Sequence, residues 1–414
     1  MGAASEISID DFSIFTPKSF GVHGYPFEQW DRLRRESPIH FFDEPELPYW
    51  AITKHEDITS IGRQPDLFLN GPLLFLNPNY GDEEFPRPKT LIEQDNPLHR
   101  ASRKLISNRF TPRALKSIHS SVETIAKDIV EELLEQGDGE VVDFVEKVSA
   151  PLPIAVIAWL LGVPEAMWKQ LFDWTNQLIG ADDPEYNSGG DKLAEAQTAI
   201  VDMFTYFAEL VEERRKDPRD DLITVFTRAE IDGKPLELLD ILAWCQIIMV
   251  AGNETTRNAT SGGLLAFIEH PGELRKLQAD PSLMKSAIEE VVRWSSPIIH
   301  FARTLSEDTV FKGVEFKKGD VVALYYPSAN RDEAVFDAPY EFRVDRKPNR
   351  HIGFGVGEHF CAGAHVARLE LEMAYKYLLP RIEEIELAGD IDRLQSNLIG
   401  GIKRMPIRYK LKPA

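Results

Sequence analysis

Residues 354–363 read Phe354-Gly355-Val356-Gly357-Glu358-His359-Phe360-Cys361-Ala362-Gly363. A turn-rich stretch precedes them, and the spacing after them predicts a helix from Ala362. A cysteine just ahead of a helix N-terminus faces unpaired backbone N–H groups and the positive end of the helix dipole. Both effects favour thiolate over thiol. Three glycines around the sulfur let a large flat object come close to the backbone. The plainer reading of a cysteine in a glycine-rich turn is a buried structural residue.

A soft, deprotonated sulfur beneath a planar group is what haem-thiolate iron requires, and thiolate donation favours O–O cleavage. The string as a whole resembles the haem-ligand loop of the cytochrome P450 superfamily, F-G-x-G-x-H-x-C-x-G. The resemblance implies haem b, with Cys361 as axial iron ligand and Phe354, Gly355 and Gly363 against the cofactor. Other motifs follow in the family's order. Glu290-Val291-Val292-Arg293 is an E-x-x-R on a helix expected over Pro281–Trp294. Alone, an i,i+3 pair is commonly a solvated salt bridge; the resemblance makes Glu290 and Arg293 a buried structural pair. Residues 339–346, PYEFRVDR, resemble the family's P-x-R-F element but carry Glu341 where a basic residue is usual. Either Arg346 or Arg343 then completes the network. Ala329-Asn330-Arg331-Asp332 also fits the family, and the resemblance covers nearly the whole chain, most densely from Ala243 to Gly363.

Two buried propionates would demand charge-assisted donors. Asp95-Asn96-Pro97-Leu98-His99-Arg100-Ala101-Ser102-Arg103 resembles the family's D-x-P-x-H-x-x-x-R helix start, and His99 and Arg103 lie one turn apart on one face. By resemblance His99, Arg103, Arg303 and His359 bind the propionates. Ala251-Gly252-Asn253-Glu254-Thr255-Thr256 is poor helix design, with a glycine, β-branched threonines and a carboxylate in an apolar stretch. It resembles the family's A-G-x-[DE]-T oxygen-binding kink. That implies Ala251 at the cofactor, Thr255 steadying bound dioxygen and Glu254 feeding protons. The alternative is an ordinary polar helix face with Thr255 bonding back to a carbonyl.

Matched by position, the substrate pocket comprises Ile92, Ile247, Val250, Ala251, Ile298, Ile299, Phe301, Leu398 and Ile399. The loop Phe75–Phe85 is expected to be mobile and to add to it. An apolar pocket favours hydrocarbon-like ligands, and the resemblance runs toward bacterial members that act on sterols, terpenoids and branched lipids. Cys245 reads as a small core residue.

The remaining sequence frames these motifs. The chain has 414 residues with 47 basic and 67 acidic side chains, a formal net charge of −20, against a general nucleic-acid binder. Two cysteines form no disulfide framework, so a reducing cytoplasm is expected. No signal peptide, apolar span or domain boundary is apparent. One large unit over residues 1–414 is expected, mainly α with a minor β-region at 35–65, 300–330 and 395–410, and a monomer. The elements expected are a hairpin of Ile39–Phe42 with Tyr49–Thr53, helices between His99 and Ile268, a long core helix over Leu236–Ile268, a helix over Cys361–Leu379, and a hairpin over Leu398–Tyr409 around Gly400-Gly401. Gly71–Pro97 should be largely loop.

The function expected is a monooxygenase that hydroxylates an apolar small molecule with dioxygen. A peroxide-using haem-thiolate hydroxylase, or a non-catalytic haem protein, is the alternative; the pairing of Glu254 with Thr255 argues against both. With no residues left for a fused reductase, electrons should come from a ferredoxin and its reductase. Lys104 and Arg109 are the expected docking cations.

Overall fold

The computed structural model describes residues 15–77, 89–180, 182–186 and 192–412, so the expected loop Phe75–Phe85 lies outside them beyond residue 77. A helix of 32 residues, Leu238–Glu269, runs through the centre. Its sequence is apolar on nearly every side, as a helix surrounded by protein must be. It packs against Pro151–Leu161, Trp168–Ile179, Lys192–Lys216, Met284–Ser295 and Ala364–Leu378. Pro151–Leu161 is bounded by Pro151 in its first turn and by Gly162, whose φ of 72° closes the C-terminus in the left-handed region. The core cluster drawn from these helices includes Leu161, Phe207, Trp244, Met249, Phe267 and Leu371.

The β-structure sits to one side. Five strands pair in the order Ile39–Phe42, Tyr49–Ile52, Val321–Tyr325, His300–Leu305, Phe68–Leu69. The expected hairpin forms, with Ile39 opposite Ile52 and Phe42 opposite Tyr49. One face of this sheet packs on an aromatic cluster of Phe15, Phe20, Trp30, Phe42, Tyr49 and Tyr325.

Several boundaries differ from expectation. Pro281–Leu283 is a separate short 3₁₀ turn, and the E-x-x-R helix begins at Met284. The helix after the cysteine starts at Ala364, so Cys361–Gly363 is a loop rather than a first turn. The C-terminal segment is not one hairpin over Leu398–Tyr409. Ile402–Arg404 pairs with Asp392–Arg393, while Pro406–Leu411 lies between Ile382–Leu387 and Val141–Asp143. Gly400-Gly401 precedes the first of these strands instead of turning between the two. Ile382–Leu387 reads Ile-Glu-Glu-Ile-Glu-Leu, whose paired glutamates break the alternation expected of a strand, and it follows a helix too directly to stand out.

Candidate active site

Three backbone contacts shape the cysteine loop. Cys361 N–H donates to Phe354 O at 2.9 Å, Phe360 N–H to Gly357 O at 3.1 Å, and Gly355 N–H to Ile352 O at 2.9 Å. Gly355 and Gly357 have φ of 71° and 76°. A Cβ at Gly357 would collide with the Gly62 carbonyl, so glycine is obligatory where the loop crosses the end of the helix His55–Gly62. Cys361 retains accessible surface, yet burial pushes its thiol up, against the Gly363 N–H, Arg103 and Arg368, which pull it down. The sulfur therefore faces a space enclosed by protein. The expected thiolate does not arise from local electrostatics alone, because desolvation outweighs the loop's donors; a metal ion would displace the proton.

Beside the loop, four basic groups converge. The His99 and His359 rings stack with centroids 3.8 Å apart. Arg103 Nη2 donates to Phe360 O at 2.6 Å. Arg303 is buried, donates to Ala302 O at 2.7 Å and meets the Tyr326 hydroxyl. Burial pushes His359 down to about 2, helped by the positive neighbours His99, Arg303 and Arg103. Both ring nitrogens of His99 are buried without a partner. Among the described residues, no salt bridge joins any of the four to a carboxylate. Each orphaned buried donor costs about 1–3 kcal/mol, a cost that carboxylates of a bound group would relieve. The donor set thus fits haem propionates.

On the central helix, Ile247, Val250 and Thr255 are half-buried and Ala251 is exposed, midway along an element otherwise enclosed. Residues i, i+3, i+4 and i+8 share one helix face, so this stripe looks onto open space. The helix is continuous through Ala251–Thr256, so the expected kink is not a break. Thr255 Oγ1 donates to Ala251 O at 2.8 Å, a back-bond that leaves its oxygen free to accept. Gly252 serves packing: a Cβ there would stand 2.7 Å from Ile157 Cδ1. Glu254 points away from the stripe. Its carboxylate is paired with Arg257, and Asn253 Nδ2 approaches it at 3.3 Å. Arg257 Nη1 also donates to Asn176 Oδ1 at 2.9 Å. Burial pushes the Glu254 carboxyl up, with Arg257 opposing.

The other pocket candidates divide. Ile92, Ile298, Phe301 and Leu398 are half-buried. Ile299 is core, buried with the aromatic cluster, because its side chain takes the opposite face of the chain from Ile298. Ile399 is also buried, and bridges Ile298. Cys245 is buried, and burial pushes its thiol up, as expected of a core residue.

Glu290 and Arg293 form a buried bidentate pair at 2.8 Å. Arg346 completes the network; Arg343 contributes only its backbone N–H, 2.9 Å from Glu290 Oε1. A second brace was not anticipated. Glu289 takes Arg368 at 2.6 and 2.8 Å and His351 at 2.9 Å, while Arg368 lies 4.4 Å over the Phe354 ring. It ties the E-x-x-R helix to the cysteine loop and to the helix after it. The adjacent acid Glu289 was the available signal.

Comparison with known proteins agrees with this geometry. The pattern of the cytochrome P450 family matches residues 75–383. A steroid C26-monooxygenase of Rhodococcus jostii is 36% identical over 408 residues, covering 96% of this chain and 84% of that protein. A methyl-branched lipid omega-hydroxylase of Mycobacterium tuberculosis is 35% identical over 388 residues, 91% and 89% of the two chains. A linalool 8-monooxygenase of Pseudomonas putida is 35% identical, covering 92% and 95%. The crystal structure of a cytochrome P450 from Novosphingobium aromaticivorans superposes with a TM-score of 0.86 at 30% identity, covering 98% of this chain and all of that one. A haem-thiolate cofactor is implied by that kinship and by the donors around Cys361. The chain belongs to the cytochrome P450 family and is a monooxygenase.

Proposed function

We propose that this enzyme hydroxylates an apolar small molecule of the steroid, terpenoid or branched-lipid kind, using haem b, dioxygen and electrons from a separate ferredoxin and its reductase. One observation carries the reading: the stripe of Ile247, Val250, Ala251 and Thr255 turns an almost wholly apolar face, with a single hydroxyl, onto open space. Such a wall selects hydrocarbon surface and excludes water. The names of the relatives, which span a steroid, a branched lipid and a terpenoid alcohol, support the class.

Haem bound between Cys361 and this stripe would supply the activation of dioxygen. Cys361 would hold the iron, and His99, Arg103, Arg303 and His359 would hold the propionates. The Thr255 hydroxyl, whose proton is held by Ala251 O, offers its oxygen as an acceptor at a fixed point on the apolar stripe. Glu254 is buried against Arg257, and so exchanges its proton only when that pair rearranges.

The docking expectation narrows. Arg109 is tied to Asp220 at 2.6 Å, whereas Lys104 is exposed and has no salt-bridge partner among the described residues. Lys104 is therefore the cation offered to an acidic partner. A titration of the ferric enzyme with a panel of steroids, terpenes and fatty acids tests the substrate class. An apolar member should shift the haem spin state; a response confined to polar ligands would refute it.

A further inference from the structure

Three separated segments meet at His300. The ring is buried, 1% exposed, at the start of the strand that carries Phe301. Its Nε2 accepts the Leu76 N–H at 2.9 Å. An amide N–H can only donate, so Nε2 is unprotonated and the ring proton sits on Nδ1. On the other side of the same residue, Asn397 Nδ2 donates to Leu76 O at 2.7 Å. Both backbone polar groups of Leu76 are thus capped by side chains from elsewhere in the chain. The Leu76 side chain is itself buried among Phe15, Trp30 and Tyr325.

The neighbouring backbone repeats the arrangement. Ala302 N–H donates to Leu74 O at 2.7 Å, and Ile299 N–H to Leu398 O at 2.8 Å. The half-buried Ile298, Phe301 and Leu398 therefore stand on three segments hydrogen-bonded to one another beside Leu76.

We infer that His300 and Asn397 are positioning residues, which clamp Leu76 from both sides and thereby fix the apolar wall formed by Ile298, Phe301 and Leu398. This rests on the reading of that wall as the substrate pocket. The physical reason is the cost of a buried amide left unpaired. Without the His300 acceptor, the Leu76 N–H must find water or move, and the wall moves with it.

The test compares His300→Phe, which keeps a flat ring but cannot accept, with His300→Gln, whose amide oxygen can. Asn397→Leu removes the other half of the clamp. In the holoenzyme, 4-phenylimidazole and imidazole share the iron-binding nitrogen and differ only by an apolar ring. The ratio of their affinities should fall on the order of tenfold in His300→Phe and in Asn397→Leu, and return close to wild type in His300→Gln. Amide hydrogen exchange over residues 70–77 should quicken in the first two variants and stay slow in the third. The double variant His300→Phe/Asn397→Leu should lose less than the sum, because both changes free the same residue. An unchanged ratio with unchanged exchange in His300→Phe, or no rescue by His300→Gln, overturns the clamp. If the ratio and exchange behave as stated while no steroid, terpene or fatty acid shifts the wild-type spin state, the clamp stands and the substrate class fails.

Discussion

Arg346 Nε lies 3.1 Å from both carboxylate oxygens of Glu290, which also carries the bidentate Arg293. One carboxylate therefore holds two buried guanidiniums, and these in turn donate to backbone carbonyls, Arg293 to Asn330, Pro339 and Glu341, and Arg346 to Asp337, Ala338 and Glu341. Burial alone would push Glu290 up; the two arginines and the Arg343 N–H hold it below the usual carboxylate range. Glu290→Ala should cost about 3–5 kcal/mol, since it strands two buried cations. Arg343→Ala, on a half-exposed side chain whose backbone contact survives, should stay within about 0.5 kcal/mol. Chemical denaturation of the two variants checks the contrast.

Thr255→Ala should leave haem content and the substrate-induced spectral shift intact while diverting reducing equivalents to peroxide or water. The change removes the only hydroxyl on an apolar stripe, and the Ala251 carbonyl it bonds to is already satisfied within the helix. Product formed per NADH consumed is the measurement, and an unchanged ratio would mean that protons arrive by another route.

His300 supplies a pH dependence with a definite sign. Burial pushes its imidazole down to about 4, against an ordinary value near 6.5. The neutral form is favoured in the folded state, so its stabilising contribution is complete above about pH 6.5 and is lost as pH falls toward 4. Thermal stability should drop over that window, and His300→Gln should flatten the drop. Equal slopes in the two proteins would assign the acid sensitivity elsewhere.

Lys104→Glu should slow electron delivery from an acidic ferredoxin on the order of tenfold at low salt, with the gap closing at high salt. Arg109→Glu should do less, because Asp220 already neutralises that side chain. Stopped-flow reduction at two ionic strengths separates them, and a larger effect at Arg109 would relocate the docking face.

Legibility in the sequence followed the range of the interactions. The cysteine loop, the E-x-x-R pair and the long helix are local patterns, and they stand where the residues placed them. The partners of those patterns come from far away in the chain and were harder to read. Arg346 could not be told from Arg343 by spacing, because the choice depends on which side chain turns inward after Glu341. Arg257, one turn beyond Glu254, is by contrast a local partner, and only the fold shows that the pair is buried. Ile298 and Ile299 were indistinguishable as apolar neighbours until the strand direction assigned one to each face. Val141–Asp143 joins Ile382–Leu387 only through Pro406–Leu411, and its pairing with that strand links distant parts of the chain that no short window contains.

We propose that Cys361 ligates the iron as thiolate, although burial favours the thiol over the opposing pull of the Gly363 N–H, Arg103 and Arg368. The reduced, CO-bound spectrum of Cys361→His tests it most directly. The wild-type enzyme should show the Soret band typical of thiolate-ligated haem, and the variant should lose it even where haem is retained. A variant that keeps that band would contradict the assignment of Cys361 and with it the reading of the site.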